Sequence, residues 1–245
     1  MSPYVKPLYI LYQYLIAFPL FIIETIIVAL ITICCANYKY KMWLHAIQAF
    51  WARSFCYLLL LPVSVEGNEL INANTSYVFV SNHQSIVDIF LIYGWLPVMF
   101  KWLIKKEIHN IPFIGIGCDA AGHIFVERSN RHSSVHSVRK LERVLHDGCS
   151  TVIFPEGHRS ANGHLQNFRR GAFQIAVDMH VPIVPIALCN CYTVTNGQTP
   201  YCNRHPIKLV IGTPISPDTE ENNIEFIMTS CHSFIQEQLL KHQQL

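Results

Sequence analysis

The sequence predicts an α/β fold: a single mixed, mostly parallel sheet flanked by helices, with an N-terminal membrane-inserting helical hairpin. After residue 62, short β-branched runs alternate with segments of helical apolar spacing, which is typical of strands and helices built around one sheet. An almost uninterrupted apolar run precedes them. No repeat or linker interrupts the later part, so we expect membrane-associated helices over residues 1–62 and an α/β domain over residues 63–245.

The apolar run extends from Leu8 to Cys35 and contains one carboxylate, Glu24, and one proline, Pro19. At about 1.5 Å per residue, a helix of this length exceeds the roughly 30 Å thickness of the hydrocarbon layer. The next segment, Trp43 to Pro62, is rich in aromatic residues but also contains polar ones, which is typical of the membrane interface. Because Glu24 and Pro19 interrupt the first run, a hairpin entering one leaflet and a single true span both remain open.

Basic residues are more frequent after this run than before it. Lys39, Lys41 and Arg53 follow the run, whereas Lys6 alone precedes it, a bias that places the C-terminal side in the cytoplasm. The run is longer than the apolar part of a signal peptide, and no small-residue cleavage pattern follows it, so we expect it to be retained. The predicted location is the membrane, with the α/β domain on the cytoplasmic face.

The formal net charge is +2, and the basic residues cluster around residues 101–106 and 128–143. Such clusters suit an anionic membrane surface or an anionic substrate. They are too few, and too poorly interleaved with aromatic residues, to indicate nucleic acid binding. We therefore expect a membrane lipid as partner and no nucleic acid.

Nine cysteines are scattered without the spacing of a disulfide scaffold, which favours a reducing compartment. A zinc site could be drawn from Cys189, Cys191, Cys202 and His205. Cys189 and Cys191, however, fall on an apolar run in which the period of a strand places both on one face. We expect no metal site.

The strands and helices can be assigned in chain order. We predict a short strand and turn between Pro62 and Asn74, and then strands at Tyr77–Val80, Val98–Leu103, Ile124–Val126, Thr151–Phe154, Val181–Leu188 and Lys208–Ile211. We predict helices from near Ile86 to Leu96, at Ser133–His146, at Phe168–Met179, and after a cap formed by Asp218 with Glu221. Pro182 and Pro185 predict an edge position or a strand start for their strand.

Residues 115–120 fit the glycine pattern of a dinucleotide-binding loop. No clean strand precedes these glycines, and Pro112 lies where that strand would be needed. We therefore expect no dinucleotide cofactor.

A first polar loop, residues 82–88, follows the strand that ends at Val80. Ser85 and Asp88 have the spacing of a capping box, so a helix should begin near Ile86 with Asp88 in its first turn. His83 then precedes the helix and can fold back toward Asp88. A histidine held by a carboxylate keeps its other nitrogen as an acceptor, the arrangement of a general base acting on a hydroxyl. Ordinary loop and capping roles for both residues are the alternative.

Two further polar loops follow later strands: a second over residues 122–128 and a third over residues 154–160. In an open α/β sheet, loops at one end of neighbouring strands can converge on one crevice. Arginines in these loops would recognise a phosphate bidentately, and Gly157 would let the backbone approach closely. The set suits a hydroxyl compound that carries a phosphate.

The loops resemble the conserved blocks of the glycerolipid acyltransferases. Asn82-His83-Gln84-Ser85-Ile86-Val87-Asp88 resembles their NHxxxxD block, and residues 122–128, 154–160 and 181–186 are similar to the second, third and fourth blocks, in the same order. Two positions depart from the pattern: His158 replaces a usual threonine and Glu127 a usual aspartate. We expect these departures to alter acceptor or acyl preference.

The resemblance implies transfer of an acyl group from acyl-CoA or acyl-carrier protein to the sn-2 hydroxyl of 1-acyl-sn-glycerol-3-phosphate (lysophosphatidate), which forms phosphatidate. It implies that His83 is the catalytic base and that Asp88 orients it. The implied substrate-binding residues are Lys105, Arg128, Glu156, Gly157 and Arg159. No cofactor is implied besides the acyl donor.

Several other interpretations remain open beside acyl transfer to lysophosphatidate. The acceptor could be another lysophospholipid, a lyso-ornithine lipid or glycerol-3-phosphate, and the chain could be a membrane protein that binds an anionic lipid without reacting. His158 could be a second proton carrier or a solvated loop residue. Residues 181–186 could line the acyl chain or form a plain core strand.

Overall fold

The structure, a computed structural model, describes residues 4–36, 41–127, 131–219 and 223–242. Its centre is one sheet of seven strands in the order β1-β7-β6-β2-β5-β3-β4. The strands are β1 (Val63–Glu66), β2 (Val78–Ser81), β3 (Phe100–Lys105), β4 (Ile124–Val126), β5 (Ser150–Ile153), β6 (Ile183–Cys189) and β7 (Ile207–Ile211). Neighbouring strands are parallel except for β6 and β7. The predicted single, mixed, mostly parallel sheet is confirmed.

Helices cover both faces of this sheet. They are α1 (Val5–Tyr12), α2 (Phe18–Cys35), α3 (Lys41–Leu58), α4 (Val87–Trp95), α5 (Ile114–Ala120), α6 (Arg131–His146), α7 (Gly171–Asp178), α8 (Cys191–Val194) and α9 (Ile224–His242). In β2, Phe79 packs toward α3 and α4, whereas Val78 and Val80 pack toward α6, α7 and α9. Because both faces are covered, strands β2, β5 and β6 are buried along their whole length.

The N-terminal helix is continuous from Val5 to Cys35, with one π-helical turn at Gln13–Ala17 between α1 and α2. Pro19 lies directly after this turn, near the start of α2. Among the described residues, this is the one helix that is long and apolar enough to cross a membrane. Only 17% of its most apolar 18-residue stretch is buried in the protein. Most of its apolar surface therefore faces outward.

α3 runs back along α2, so the two form the predicted hairpin. The ring of Phe21 packs edge-on against Phe55, and Trp51 Nε1 donates to Thr25 Oγ1 at 2.9 Å. Ser54 Oγ donates to a carboxylate oxygen of Glu24 at 2.5 Å. The carboxylate that interrupts the apolar run is thus partnered within the hairpin.

The hairpin is also joined to the rest of the chain. Phe55 stacks on Phe90 of α4 with ring centroids 3.8 Å apart. The side-chain amide of Gln13, fully buried, pairs with both backbone groups of Cys202, each bond being 2.8 Å long. The two parts share one apolar cluster, and their division at residue 62 stays a prediction.

The edge position that Pro182 and Pro185 predicted for the strand at 181–188 is wrong, whereas Pro182 lies directly before the start of β6, as the alternative of a strand start predicted. β6 lies between β7 and β2 in the interior of the sheet, although Pro185 has no N–H to donate. Pro185 is tolerated because β7 ends beside it, where only its carbonyl is used, accepting from Gly212 N–H at 2.8 Å. The missing donor therefore falls at a gap in the ladder.

The predicted cap of the last helix is also wrong. Asn223 Oδ1 accepts from Phe226 N–H at 2.9 Å in the first turn of α9, as expected for an asparagine cap. Asp218 instead accepts from His180 Nδ1 at 2.5 Å. Glu221, the other predicted capping residue, lies outside the described residues.

Gly212→Ala should destabilise the fold by about 1–3 kcal/mol, the usual cost of overpacking. An added Cβ would lie 2.8 Å from Pro185 Cγ and 3.0 Å from the ring of Phe234. Gly171→Ala is the matched control, because its Cβ would meet nothing within 4 Å, and it should be neutral or stabilise by about 0.4–1 kcal/mol. Denaturant unfolding in detergent measures both; equal effects would contradict the packing at Gly212.

Candidate active site

The carboxyl ends of β2, β5, β3 and β4 lie at one edge of the sheet, because these strands are parallel neighbours. The first polar loop follows β2, the third follows β5, and the second contains β4. Ser160 N–H donates to the carbonyl of His83 at 2.8 Å, which joins the third loop to the first. The loops therefore meet at one edge of the sheet, as expected.

Asn82 fixes the direction in which the chain leaves β2. Its Oδ1 accepts from the N–H of Leu188 at 2.8 Å, and its Nδ2 donates to the carbonyl of Leu188 at 3.0 Å. Both residues are fully buried, where an unpaired backbone group costs free energy. Sequence reasoning missed this role, since nothing in the pattern identifies the partner strand.

α4 begins at Val87 with Asp88 in its first turn, as predicted. The capping box is formed only in part. Asp88 Oδ2 accepts from Ser85 N–H at 2.7 Å, but Ser85 Oγ donates to the carbonyl of Thr195 at 2.6 Å and the N-cap residue is Ile86. The hydroxyl of Ser85 therefore joins the loop to a distant segment, a partner that local spacing cannot reveal.

His83 folds back onto Asp88, as predicted. His83 Nδ1 lies 2.9 Å from Asp88 Oδ2. Because the carboxylate oxygen accepts, Nδ1 carries the proton and donates, which leaves Nε2 as an acceptor. The imidazole is 16% exposed and Asp88 is fully buried, so the ring can be reached from outside while its partner cannot.

Three donors converge on Asp88 Oδ2: His83 Nδ1, Gln84 N–H at 2.6 Å and Ser85 N–H at 2.7 Å. The buried thiol of Cys191 also contacts this carboxylate. Burial, with the charge of Asp88 and the hydrogen bond to it, raises the pKa of Cys191 well above its ordinary value. The thiol thus stays protonated and can donate to the carboxylate.

Glu156 is 2% exposed, and its two oxygens accept from backbone groups. Oε1 accepts from His83 N–H at 2.6 Å, and Oε2 accepts from Gln166 N–H at 3.0 Å. Burial raises the pKa of Glu156 to about 7, against the lowering effect of these two hydrogen bonds. Glu156 therefore contacts the backbone that carries His83.

An aromatic stack lies behind His83. The imidazole lies parallel to the ring of Phe154, with centroids 4.0 Å apart and planes 9° apart. Phe154 in turn stacks on Trp102 at 5.5 Å. Sequence reasoning assigned Phe154 to the end of a strand and Trp102 to another strand, and missed the stack because only the sheet order brings β3 beside β5.

The basic residues predicted to bind the substrate lie at the surface where the structure describes them. Arg159 is exposed in the third loop next to Ser160, and Gly157 has φ +84° in the same loop. Lys105 is exposed at the end of β3, and its Nζ lies 3.3 Å from Glu107. Arg128 lies outside the described residues.

The two unusual positions of the blocks are both at the surface. His158 is exposed and lies next to Arg159. Glu127 accepts from Lys106 Nζ at 2.8 Å.

His123, in the second loop, belongs to the core. Trp102 N–H donates to His123 Nδ1 at 3.3 Å, and Nε2 lies 3.2 Å from the hydroxyl of Tyr93. Burial lowers the pKa of His123 to about 3, with Lys101 contributing. The imidazole is therefore neutral and structural.

The interpretation of residues 181–186 as an acyl-chain surface is not supported. Ile183 to Ile186 are buried strand residues in the interior of the sheet. An apolar cleft of about 200 Å³ instead lies between the sheet and helices α6 and α7. Phe154 and Gly157 line it, with Arg169.

Cys189 and Cys191 do not share a strand face, contrary to the prediction. Asn190 between them has φ +67° and ends the strand, so Cys189 packs toward α9 and Cys191 toward Asp88. Within the described ranges, no group of three or more His, Cys, Asp or Glu side chains is arranged to hold a metal ion.

Comparisons with known proteins identify the family and the fold. Residues 62–189 match the family model described as Acyltransferase, which spans the first, second and third loops and β6. The described fold is similar to the crystal structure of the 1-acyl-sn-glycerophosphate (LPA) acyltransferase PlsC from Thermotoga maritima, with a TM-score of 0.78, 22% identity, and 97% of this chain and 98% of that chain covered. At this identity, the likeness establishes the fold.

Curated relatives carry similar names. The chain is 32% identical to a 1-acyl-sn-glycerol-3-phosphate acyltransferase of Cocos nucifera over 78% of its own length and 62% of the relative's. It is 33% identical to the enzyme of that name from Saccharomyces cerevisiae, over 71% and 59% of the two lengths, and 35% identical to the human alpha form, over 60% and 50%. The matches thus span about half to three fifths of these relatives.

The His83–Asp88 contact predicts one tautomer. In protein labelled with ¹⁵N-histidine, the neutral form of the His83 ring should show a protonated Nδ1 and a bare Nε2, because the carboxylate accepts from Nδ1. The His83→Asn spectrum identifies the resonance by its loss. A proton on Nε2 would contradict the geometry.

Proposed function

The chain belongs to the acyltransferase family, and from this premise we propose that it transfers an acyl group to the sn-2 hydroxyl of 1-acyl-sn-glycerol-3-phosphate. The donor is acyl-CoA or acyl-carrier protein, and the product is phosphatidate. The observation that carries the proposal is the pair formed by His83 Nδ1 and the buried Asp88 Oδ2 at 2.9 Å, with the other ring nitrogen left as an acceptor. The curated relatives bear the name of this activity.

His83 acts as the general base. Its Nε2 takes the proton of the acceptor hydroxyl while the oxygen forms a bond to the thioester carbonyl carbon. The resulting tetrahedral intermediate collapses by breaking the carbon–sulfur bond, and the imidazolium returns its proton to the leaving thiolate. The hydroxyl attacks directly, so the reaction needs no covalent acyl-enzyme and no cofactor beyond the donor.

Two neighbours stabilise the imidazolium that forms in this step. Asp88 is a buried anion in contact with Nδ1. The face of Phe154 lies parallel to the ring at 4.0 Å, where an aromatic ring attracts a cation by about 0.5–2 kcal/mol. Both interactions are stronger with the protonated ring than with the neutral ring, and so favour the transition state.

Glu156 positions the base rather than touching the substrate. Both of its oxygens are used by backbone N–H groups, one of them that of His83. The carboxylate thus joins the first loop to residue 166 of the chain that follows the third loop. A shift of His83 by about 1 Å is enough to cost about 10²-fold in rate.

Arg159, Arg128 and Lys105 bind the phosphate of the acceptor. Arg159 and Lys105 are exposed at the same edge of the sheet as His83, and a phosphate attracts such cations strongly because they are charged donors. Gly157, at φ +84°, has no side chain, so the phosphate can approach the backbone beside these cations. The acyl chain of the thioester is assigned to the apolar cleft, because Phe154 lines the cleft and also stacks on His83.

The outward-facing apolar surface of the N-terminal helix indicates membrane association. Lysophosphatidate remains in the bilayer surface, and drawing its chain into water would cost about 0.8 kcal/mol per CH₂. An enzyme held at that surface avoids this cost. We assign the α/β domain to the cytoplasmic face, where both soluble donors are present.

His83→Ala should reduce phosphatidate formation from lysophosphatidate by at least about 10²–10⁴-fold, the usual value of general-base catalysis. His146→Ala is the matched control: its side chain is exposed at the last residue of α6, outside the three loops, and the rate should change by less than about threefold. The assay uses purified protein in detergent with acyl-CoA or acyl-carrier-protein donors and a panel of lyso-lipid acceptors.

Wild-type-like turnover by folded His83→Ala would refute the base assignment. Transfer to another lyso-lipid with no transfer to lysophosphatidate would refute the acceptor. Anionic-lipid binding without consumption of any thioester by the wild type would identify a binding protein instead.

Glu156→Gln should lower kcat by about tenfold or more with little change in KM for the acceptor. The amide retains one acceptor oxygen, so one of the two backbone N–H groups loses its partner and the loop that carries His83 shifts. Glu237→Gln, at an exposed position on α9, is the control and should leave both constants unchanged. An effect on KM alone would mean that Glu156 binds substrate.

The same variant tests the titration of Glu156. Its pKa is raised from 4.5 to about 7, so its contribution to stability is fully present below about pH 4.5 and is lost as the pH rises through about 7. Wild-type protein should therefore lose more of its unfolding free energy over this interval than Glu156→Gln does. Equal pH dependence of their thermal midpoints would contradict the raised pKa.

A further inference from the structure

A short segment beside the hairpin exposes an unusual number of apolar side chains. A 3₁₀ turn at Lys106–Asn110 leads from β3 into α5. The segment from residue 111 to residue 116, which we call the apolar tip, has four large apolar side chains at the surface. They are Ile111 (40% exposed), Phe113 (45%), Ile114 (39%) and Ile116 (56%).

The backbone of the apolar tip is strained at Phe113. Phe113 has φ +61° and ψ −43°, and Ile114 N–H donates to the carbonyl of Pro112 at 2.7 Å. This is the γ-turn with positive φ, which is rare and strained. A phenylalanine in such a turn costs free energy, and here the residue is left 45% exposed.

The tip is held rigidly in this conformation. A Cβ on Gly115 would lie 2.0 Å from the carbonyl oxygen of His109, so the two backbones are in close contact and only glycine fits. Gly115 N–H also donates to the carbonyl of Ile111 at 2.9 Å. The imidazole of His109 packs edge-on against Phe125. The exposed side chains are therefore presented from a fixed platform.

The platform is continuous with the hairpin. Gly117 of α5 lies against Ala29 of α2, where an added Cβ would be 3.5 Å from the Cβ of Ala29. On the same helix α2, Ile27 and Leu30 are each about half exposed. The apolar tip and α2 thus form adjoining parts of one apolar surface, and apolar patches of this kind mark interaction sites.

We propose that the apolar tip is a third membrane-contacting element, which inserts Phe113 and Ile116 into the bilayer beside the N-terminal hairpin. The occupant is a lipid bilayer because the tip adjoins a helix that is long and apolar enough to span one. Lys105 and Lys106 precede the tip by six and five residues, across the 3₁₀ turn, and are both more than half exposed, as is common for cations at headgroup level near an inserted apolar segment. The tip would thereby hold the end of β3, with Lys105, at the plane of the lipid headgroups.

This inference rests on the proposed membrane location and is independent of the chemistry at His83. The test uses full-length protein bound to vesicles of phosphatidylcholine and phosphatidylglycerol, with or without bromine atoms on the acyl chains. Phe113→Trp and Ile116→Trp place probes at the tip; the second is in regular helix and serves if the first fails to fold. Phe226→Trp, about half exposed on α9 at the other face of the sheet, is the matched control.

After subtraction of the wild-type spectrum, the emission added at position 113 or 116 should be blue-shifted and quenched about twofold or more by brominated lipid, because an interfacial segment inserts by about 5–10 Å. The emission added at position 226 should be unaffected. Unquenched emission at both tip positions, in protein shown by flotation to be vesicle-bound, would overturn the proposal, as would failure of the protein to bind vesicles.

The same measurement in His83→Ala protein should give the same quenching. If the tip emission is quenched but the wild-type protein has no transferase activity, the proposed function is refuted and this inference stands. Full transferase activity without quenching would refute this inference and leave the proposed function standing.

Discussion

The contact between the His83 imidazole and the Asp88 carboxylate is the interaction on which the rest of the site depends. It requires that the chain turn sharply between β2 and α4, so that two residues five apart face each other. Asn82 fixes the start of this turn by bonding to Leu188, and Ser85 fixes its end by bonding to Thr195. One anchor point therefore lies in strand β6 and the other directly after α8, and the loop between them carries His83 and Asp88.

Much of the fold followed from the sequence. The alternation of β-branched runs with helical segments predicted the sheet, and the position of His83 just before the cap predicted its contact with Asp88. The order of the strands did not follow, because register and neighbours depend on packing between distant segments. For the same reason the stack of His83, Phe154 and Trp102 could not be foreseen, although each residue was visible in the sequence.

The errors have a common physical cause. Pro185 suggested an edge strand, but an interior strand accepts proline where its neighbour ends. Cys189 and Cys191 suggested one strand face, but Asn190 adopts positive φ and turns the chain. In each case a tertiary contact overrides a local pattern.

The central claim is that His83 removes a proton from the acceptor hydroxyl, and chemical rescue tests it most directly. Folded His83→Gly protein, assayed with lysophosphatidate and a thioester donor, should regain transfer when imidazole is added, because neutral imidazole can fill the space of the lost ring and act as the base. The rescued rate should rise with pH as the neutral fraction of imidazole rises. No rescue, or equal rescue at a pH where imidazole is fully protonated, would contradict the account.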